Sequence, residues 1–285
     1  MKFKIASAIL FSALAFHASA FDFGNIDDLK GALQKAQKVN EQVKKATEDV
    51  PEPKEIEMGG GIASNLLGAA PLLKNAAVQK YVNDVGRWLA LQTERPDLPW
   101  QFAVLDDNDV NAFASPGGYI FITKGLLMNM KSEAELAGVL AHEISHVLRK
   151  HHLNAIKKGA RTELMAEFTS EAVKDKGGSK NLLKLVNAGT ELYARGLDKD
   201  DEFEADRMGI VIAARAGYDP YGLPAVLQTL QSLNPKDTKL ALMFKTHPAL
   251  SDRLNLLDQL MTGRFDGFEG RPDLAERFTA VMNGK

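Results

Sequence analysis

The clearest pattern in this chain is a run of apolar residues, three or four positions apart, that follows Ser132. The run consists of Leu136, Leu140, Ile144 and Val147. Such spacing places the apolar side chains on one face of a helix. Ser132 and Glu135 form a capping-box pattern, which is typical of a helix N-terminus. The sequence therefore predicts a helix that begins near Ser132, and the small or apolar residues around its centre indicate that it is largely buried.

The segments before this helix change character several times. Residues 21–48 carry apolar positions at helical spacing with Lys and Gln opposite, which predicts an amphipathic helix that packs on the main domain or, less favoured, binds a partner. Residues 49–61 contain two prolines and a glycine triplet, so we interpret them as a linker. Helical spacing over 78–89 predicts a helix that ends before Arg95 and Pro96.

Extended structure is expected next. Residues 100–105 alternate as a strand does, and residues 119–123 are rich in aromatic and β-branched residues. Between them, residues 106–118 contain the turn-forming stretches DDND and SPGG and read as a loop. A short sheet therefore precedes the helix at Ser132.

The rest of the chain is predicted to be almost entirely helical. The expected helices are 153–175, 180–194, 198–216, 221–233 and 249–262. The fold class is α+β and predominantly helical, with one domain over 62–263 and a C-terminal tail over 264–285.

The first twenty residues have the organisation of a signal peptide. Lys2 and Lys4 precede an apolar stretch over 5–16, and Ala18-Ser19-Ala20 is a cleavage sequence. We expect cleavage after Ala20, export to the periplasm or beyond the cell, and no integral membrane segment in the mature chain, because a spanning helix needs about 20 apolar residues.

Composition excludes few classes of protein. The 285 residues are 45% hydrophobic and 25% charged, which is ordinary for a globular protein. With 37 acidic and 35 basic residues and no basic face, nucleic acid is not an expected partner. The chain has no cysteine, so disulfides and acyl anchoring through cysteine are excluded.

The predicted helix carries candidate metal chemistry at its centre. His142, Glu143 and His146 form the H-E-x-x-H pattern. With about 3.6 residues per turn, the two imidazoles stack on one face and can reach a single ion. Glu143 lies beside them, so it is placed to act on a water as a general base and not as a ligand.

A third ligand is expected downstream, because a catalytic zinc takes three protein ligands and keeps one open position. Glu202 and Asp206 lie one helical turn apart, so Glu202 can bind the metal while Asp206 fixes a histidine ring. Glu204 points to the other side of the same helix. These acids also suit a solvated helix start, and alone they would not decide between the two readings.

His151 and His152 follow the motif beside Arg149 and Lys150. Positive groups suit a helix C-terminus. We interpret the two histidines as a solvated helix end and give them no metal role.

Four motifs in order carry a family resemblance. They are NAFASPGGYIFITKGLL, HEISH, EFEAD and THPALSDRL, over roughly residues 70–262. With them the chain resembles the zinc metallopeptidases that include HtpX-like and CAAX-prenyl-protease-like enzymes. Because no membrane span is seen, it is more similar to soluble periplasmic members that act in envelope protein quality control.

The resemblance implies the roles of several residues. His142, His146 and Glu202 would hold one Zn²⁺ per chain, and Glu143 would be the catalytic base of a gluzincin-type, zincin-like domain. An extended peptide would lie along an edge strand at residues 118–123. Its contacts would be Gly118, Tyr119, Ile120 and Phe121.

The chain departs from this family in one place. Relatives often carry a tyrosine and an arginine where this chain has Leu197 and Lys199. If that tyrosine stabilises the oxyanion, the donor here must come from elsewhere, and His247 and Arg253 are the candidates. His247 could instead cap the following helix, or bind the metal as a fourth ligand.

Two functions fit these observations. The first is a zinc endopeptidase that hydrolyses unfolded or misassembled envelope proteins, outer-membrane proteins among them, by a metal-activated water with Glu143 as base. The second is a periplasmic chaperone or assembly factor that keeps the zinc-binding fold with little or no proteolysis. Glu143 favours the enzyme, because a structural zinc site has no need of a neighbouring acid.

Overall fold

The computed structural model describes residues 50–159, 196–234, 236–247, 249–268 and 271–284. The predicted signal peptide, the predicted amphipathic helix over 21–48 and the predicted helix over 180–194 lie outside the described residues. The predicted helix over 153–175 is described only as far as residue 159 and is helical there.

Helices dominate the described part of the chain, as the sequence predicts. Before the sheet lie α1 (Glu52–Ala69) and α2 (Ala76–Ala90), and after it come the short α3 (Lys124–Leu127), α4 (Glu133–Leu148) and α5 (residues 151–159). The later helices are α6 (Lys199–Arg215), α7 (Gly222–Ser232), α8 (Ala241–Thr246), α9 (Leu250–Met261) and α10 (Ala275–Met282). The predominantly helical α+β class is confirmed.

The sheet has three strands in the order β1-β3-β2. They are β1 (Gln101–Leu105), β2 (Ala112–Ser115) and β3 (Tyr119–Thr123). β1 pairs with β3 in parallel, and β2 pairs with β3 antiparallel. The sequence predicted β1 and β3 but not β2, because all four residues of β2 are buried and lack alternation, and turn-forming residues flank them.

The central position of β3 corrects one prediction. Both sides of its backbone are used by neighbouring strands, so β3 is not an edge strand. Gly118, Tyr119, Ile120 and Phe121 therefore cannot bind an extended peptide by strand addition, which requires unpaired N–H and C=O groups.

Helix α4 forms the centre of the domain. Ser132 is its N-cap, and the Ser132 hydroxyl accepts a hydrogen bond from the Glu135 N–H at 3.1 Å. The Glu135 carboxylate accepts from the Lys131 N–H, one residue before the cap, at 2.8 Å. Every residue of α4 is buried, mainly against α6 and α7. A Cβ at Gly209 of α6 would lie only 3.0 Å from the backbone nitrogen of His142, so glycine lets the two helices approach closely.

The linker predicted at 49–61 is wrong, because most of it belongs to helix α1. A Cβ at Gly59 would lie 1.7 Å from the Pro116 carbonyl oxygen, so this glycine serves close packing of α1 on the β2–β3 turn. The buried Glu55 carboxylate accepts hydrogen bonds from Arg95 and from the Gly117 N–H, each at 3.1 Å. At least the first residue of the glycine triplet therefore serves helix packing and not a flexible linker.

The C-terminal residues also pack on the domain. Phe278 of α10 is buried in the main core, and the Ala134 N–H donates to the Asp273 carbonyl at 3.0 Å. Arg277 and the hydroxyls of Tyr81 and Tyr218 all donate to the buried Glu133 carboxylate. The predicted tail thus contains a helix that holds the N-terminal turn of α4. None of the helices in the described ranges is long and apolar enough to cross a membrane.

Candidate metal centre

Two histidines of α4 face each other one turn apart. The Nε2 atoms of His142 and His146 lie 3.0 Å apart, and both side chains are buried. Buried imidazole nitrogens aimed at a common point need a shared partner, because an unpaired polar group in the interior is costly. Their arrangement matches the prediction made from their spacing.

Helix α6 brings Glu202 to the same point. Its carboxylate oxygens lie 3.6 Å from His142 Nε2 and 3.4 Å from His146 Nε2, and the side chain is fully buried. Glu204 points away and pairs with Arg149 at 2.8 Å. The structure thus brings Glu202, and not Glu204, to the two histidines.

His247 follows the last turn of α8 and adds a fourth donor. Its Nδ1 lies 3.0 Å from Glu202 Oε2, and its Nε2 lies 3.9 Å from Glu143 Oε1. The N-cap of α9 is Ala249, with no side-chain capping hydrogen bond, so His247 does not cap that helix. One donor atom from each of His142, His146, Glu202 and His247 lies within 4.8 Å of the others.

This donor set fits zinc. Zinc binds imidazole nitrogen and carboxylate oxygen in tetrahedral geometry, and three such ligands with an open position are typical of catalytic sites. Burial lowers the pKa of His146, which keeps the imidazole neutral and its lone pair available. Burial likewise lowers the pKa of His142, but its contacts with Asp206 and Glu202 outweigh this and raise the pKa to about 9, so this ring would lose a proton on binding zinc.

Asp206 and Arg253 hold these groups in place. Asp206 Oδ1 lies 2.9 Å from His142 Nδ1, the nitrogen that faces away from the shared point, as the sequence predicts. The Arg253 Nε and Nη2 donate to Asp206 at 2.7 and 2.6 Å, and its Nη1 lies 3.0 Å from Glu202. All three nitrogens of this buried guanidinium therefore face carboxylates. This positioning role differs from the oxyanion donor that the sequence suggested.

Glu143 is a further carboxyl group beside the four donors. It is almost completely buried, and its Oε2 has no hydrogen-bond partner within the described residues. Burial raises its pKa above the ordinary value, because the charged form loses hydration. A carboxylate with a raised pKa is a stronger proton acceptor than an ordinary one.

His151 and His152 are buried, so their interpretation as a solvated helix end is wrong. Lys150 has a positive φ of 56° between α4 and α5, and the chain turns the next residue back towards the site. His151 Nδ1 lies 2.9 Å from His146 Nδ1, and its Nε2 lies 3.3 Å from Glu204 Oε2. The sequence does not indicate that a lysine has a positive φ, so the contacts of His151 could not be predicted.

The two positions at which the chain departs from the family pattern lie at the start of α6. Lys199 pairs with Asp252 at 3.1 Å, and both side chains are more than half exposed. This exposed pair stands apart from the four donors. Among the sequence-based candidates for an oxyanion donor, His247 is thus the one that keeps a nitrogen facing Glu143.

This donor set on a mostly helical fold defines the gluzincin class of zinc metallopeptidases, whose third ligand is a glutamate from a later helix. The chain belongs to peptidase family M48, whose family model matches residues 76–261.

Several named relatives are similar to the same region. The beta-barrel assembly-enhancing protease of Escherichia coli (strain K12) is 29% identical over 206 residues, which is 70% of this chain and 42% of that protein. The mitochondrial metalloendopeptidase OMA1 of Arabidopsis thaliana is 32% identical over 163 residues, 57% of this chain and 32% of that protein. Metalloprotease LoiP of Escherichia coli (strain K12) is 31% identical over 158 residues, 54% of this chain and 60% of that protein. The chain spans less than half the length of the beta-barrel assembly-enhancing protease.

Proposed function

We propose that this chain is a zinc-dependent endopeptidase that hydrolyses unfolded or misassembled proteins of the bacterial envelope. The observation that carries the proposal is the buried Glu143 carboxyl group, whose Oε2 has no hydrogen-bond partner among the described residues, beside a cluster of four possible metal donors. A purely structural zinc site has no use for such a group. The names of the relatives support proteolysis, and the beta-barrel assembly-enhancing proteases among them make outer-membrane proteins the first substrates to test.

Each residue has a distinct task in this proposal. His142, His146 and Glu202 would hold the zinc, and Asp206 with Arg253 keeps His142 and Glu202 in orientation. When bound there, zinc supplies a Lewis acid that polarises a carbonyl group and acidifies water. Glu143 accepts the proton of the attacking water and delivers it to the leaving amine. His247, whose Nε2 lies 3.9 Å from Glu143 Oε1, is assigned to donate a hydrogen bond to the developing oxyanion.

The decisive test replaces Glu143 by glutamine. Glu143→Gln keeps the shape and the zinc ligands but cannot take up a proton, so we expect full zinc content and a turnover reduced about 100- to 10,000-fold. The assay uses purified, zinc-loaded protein on unfolded outer-membrane proteins and on casein. Glu135→Gln, the same change on the same helix at a capping residue outside the site, is the matched control. Undiminished hydrolysis by zinc-replete Glu143→Gln would refute the mechanism.

A second function, a chaperone or assembly factor with little proteolysis, is favoured by one observation. His247 lies within the donor set, and a fourth protein ligand would close the position that a substrate needs. A zinc-loaded protein that suppresses aggregation of unfolded outer-membrane proteins equally well with and without the Glu143→Gln change, and cleaves none of them, would support it.

We also propose that the protein is exported to the periplasm, with the signal peptide removed after Ala20. Cell fractionation followed by mass spectrometry of the N-terminus should find a mature chain that begins at Phe21. A chain that retains residues 1–20 in the cytoplasmic fraction would contradict this proposal.

A further inference from the structure

Four large apolar residues lie exposed at the two ends of helix α2. Leu67 and Leu72 precede the helix, at the end of α1 and in the connection that follows it. Trp88 belongs to the last turn and Leu91 is the C-cap, and they are 49% and 61% exposed. These four are half of the eight large apolar residues that are exposed in the part of the chain that the structure describes. Single exposed apolar residues are normal, but their concentration around one helix indicates an interaction surface.

The outer side of α2 combines this apolar character with charge. Lys80, Asp84, Arg87 and Leu91 follow one another at intervals of three or four residues, so they share one face of the helix. All four are exposed, whereas the other side of α2 packs on the core. The exposed apolar residues at the two ends of α2 are thus joined by a charged stripe.

The charge of this stripe is positive. Residues 58–83 contain only two charged residues, Lys74 and Lys80, although a quarter of the whole chain is charged. Asp84 is the only acidic residue of α2, and it pairs with Lys80 at 2.5 Å. Lys74 and Arg87 form no ion pair among the described residues. Two cations therefore stand uncompensated beside the exposed apolar residues.

The indole of Trp88 is fixed in place among further cations. Its Nε1 donates to the Ala216 carbonyl at 2.9 Å, at the C-terminal end of α6. Arg271 Nη1 donates to the Ala214 carbonyl at 2.8 Å, and the exposed Arg215 lies between these two alanines in the chain. A half-exposed indole beside arginines is typical of a membrane–water interface, where the ring lies at the level of the headgroups and guanidinium groups bind phosphate.

A lipid surface fits these features better than a second copy of the chain does. Helix α2 has 15 residues and is about 22 Å long, so the exposed apolar residues at its ends form an elongated surface and not a compact pocket. Anionic headgroups attract lysine and arginine, and the interfacial region takes up leucine and tryptophan side chains. Two copies joined through this surface would bring like charges together, which is unfavourable.

We propose that the outer side of α2, together with Leu67, Leu72 and Lys74 before it, is a docking surface for an anionic phospholipid bilayer. This proposal goes beyond the proposed endopeptidase function and does not depend on it. The cavity beside Glu143 is lined by residues of β2, α4, α7 and α9, among others, and by none of α1 or α2 within the described ranges. Docking through α2 therefore leaves the lining of that cavity uncovered.

The first test measures cosedimentation with vesicles. The chain begins at Phe21, so that the apolar stretch over 5–16 does not contribute. Vesicles of equal parts phosphatidylcholine and phosphatidylglycerol should bind it at least about tenfold more tightly than pure phosphatidylcholine, and salt should weaken this binding. Leu91→Ala should weaken it about 5- to 10-fold through lost apolar burial. Lys74→Gln and Arg87→Gln should each weaken it about fivefold.

Two matched controls carry the same changes elsewhere. Leu256→Ala removes an exposed leucine of α9, and Lys236→Gln removes an exposed lysine between α7 and α8. Neither should change the affinity for the anionic vesicles. Absence of binding to these vesicles, or equal losses in the controls and in Leu91→Ala and Lys74→Gln, would overturn the proposal. A dimer in solution that Leu91→Ala dissociates would overturn it in favour of a second copy as the occupant.

The second test reports on Trp88 itself. The chain has two tryptophans, and Trp100 is buried, so a change in fluorescence on adding vesicles is assigned to Trp88. We expect brominated anionic lipid to quench the emission and to shift the unquenched remainder little. Trp88→Phe should abolish this quenching while the protein still cosediments with the vesicles.

Cosedimentation of the unchanged chain without any quenching would mean that another segment binds the lipid, and would refute docking through α2. Both tests measure binding alone. A chain that binds vesicles as expected but hydrolyses no peptide would therefore refute the proposed endopeptidase and leave the docking surface standing.

Discussion

At the scale of single residues, the two histidines proposed to bind zinc differ in the groups that contact their outer ring nitrogens. His142 Nδ1 faces Asp206, which Arg253 clamps, whereas His146 Nδ1 faces the ring of His151. If His146 binds zinc through Nε2, its Nδ1 carries the proton and donates to His151 Nδ1. His151 then carries its own proton on Nε2, which faces Glu204. Such outer contacts fix ring orientation and raise ligand basicity.

Substitutions of the acidic residues and of His151 should therefore lower the zinc affinity to different extents. We expect Glu202→Ala to lose most of its zinc, and Asp206→Ala and His151→Phe each to bind it about 10- to 100-fold more weakly. Glu204→Ala should change little, because this carboxylate is partly exposed and reaches zinc only through His151. Competition with a chelator of known affinity measures all four variants. Stoichiometric, tight zinc in Glu202→Ala would overturn the ligand assignment.

His247 can act in two ways whose consequences have opposite signs. As an oxyanion donor it accelerates the reaction, so His247→Ala should lower turnover by about 100-fold or more. As a fourth ligand it closes the site, so its removal should raise turnover. The structure supports the first role by placing His247 Nε2 near Glu143, and we expect lower turnover at unchanged zinc content. The rate of peptide hydrolysis by metal-replete His247→Ala distinguishes the two roles. An unchanged rate would exclude both.

At the scale of secondary structure, periodicity was informative wherever one face of an element is buried. The strands β1 and β3 and the helices α4, α6, α7 and α9 follow from the apolar spacing and the turn residues. Apolar spacing did not predict α1 or β2. Helix α1 contains three consecutive glycines, and β2 has only four residues, all of them buried. Strand order depends on contacts between distant segments, so the central place of β3 could not be inferred locally.

The same limits apply to the candidate site. The histidine pair and Glu202 were predictable because helical geometry fixes their relative directions. His151 was not, since its orientation depends on the positive φ of Lys150.

The contact of α4 with α6 at Gly209 should control the metal site. A Cβ there would lie 3.0 Å from the backbone nitrogen of His142 and 3.2 Å from its Cα. These distances are too short for the two backbones to stay in place. Gly209→Val should push α6, and Glu202 with it, away from the histidines. We expect a lower melting temperature and zinc affinity reduced at least about tenfold, as for loss of a ligand contact.

Gly68→Ala is the matched control, because a Cβ at Gly68 of α1 meets no atom of the described residues within 4 Å. Alanine is the better helix former, so this change should leave stability equal or slightly higher. Gly209→Val with the zinc affinity of the unchanged chain would show that the helix contact does not set the ligand distances.

At the scale of the whole molecule, the zinc donors come from α4, from α6 and from the end of α8. A ligand that binds only the folded state stabilises it by mass action. Removing zinc with a chelator should therefore lower the melting temperature, by about 10 °C for a site saturated 1,000-fold above its Kd. Differential scanning calorimetry with and without zinc measures the shift. Glu202→Ala should show little shift, and a full shift in that variant would place the stabilising zinc elsewhere.

The separation of these donors along the chain also has a consequence for the order of folding. A newly made or partly unfolded chain can form the histidine pair of α4 by local helix formation alone. It lacks Glu202 and His247 until contacts between distant segments have formed, and such contacts form late because loop closure is entropically costly. Metal capture therefore comes near the end of folding. If the chain is the endopeptidase proposed above, its hydrolytic centre is complete only in a folded molecule, so unfolded copies cannot cleave one another.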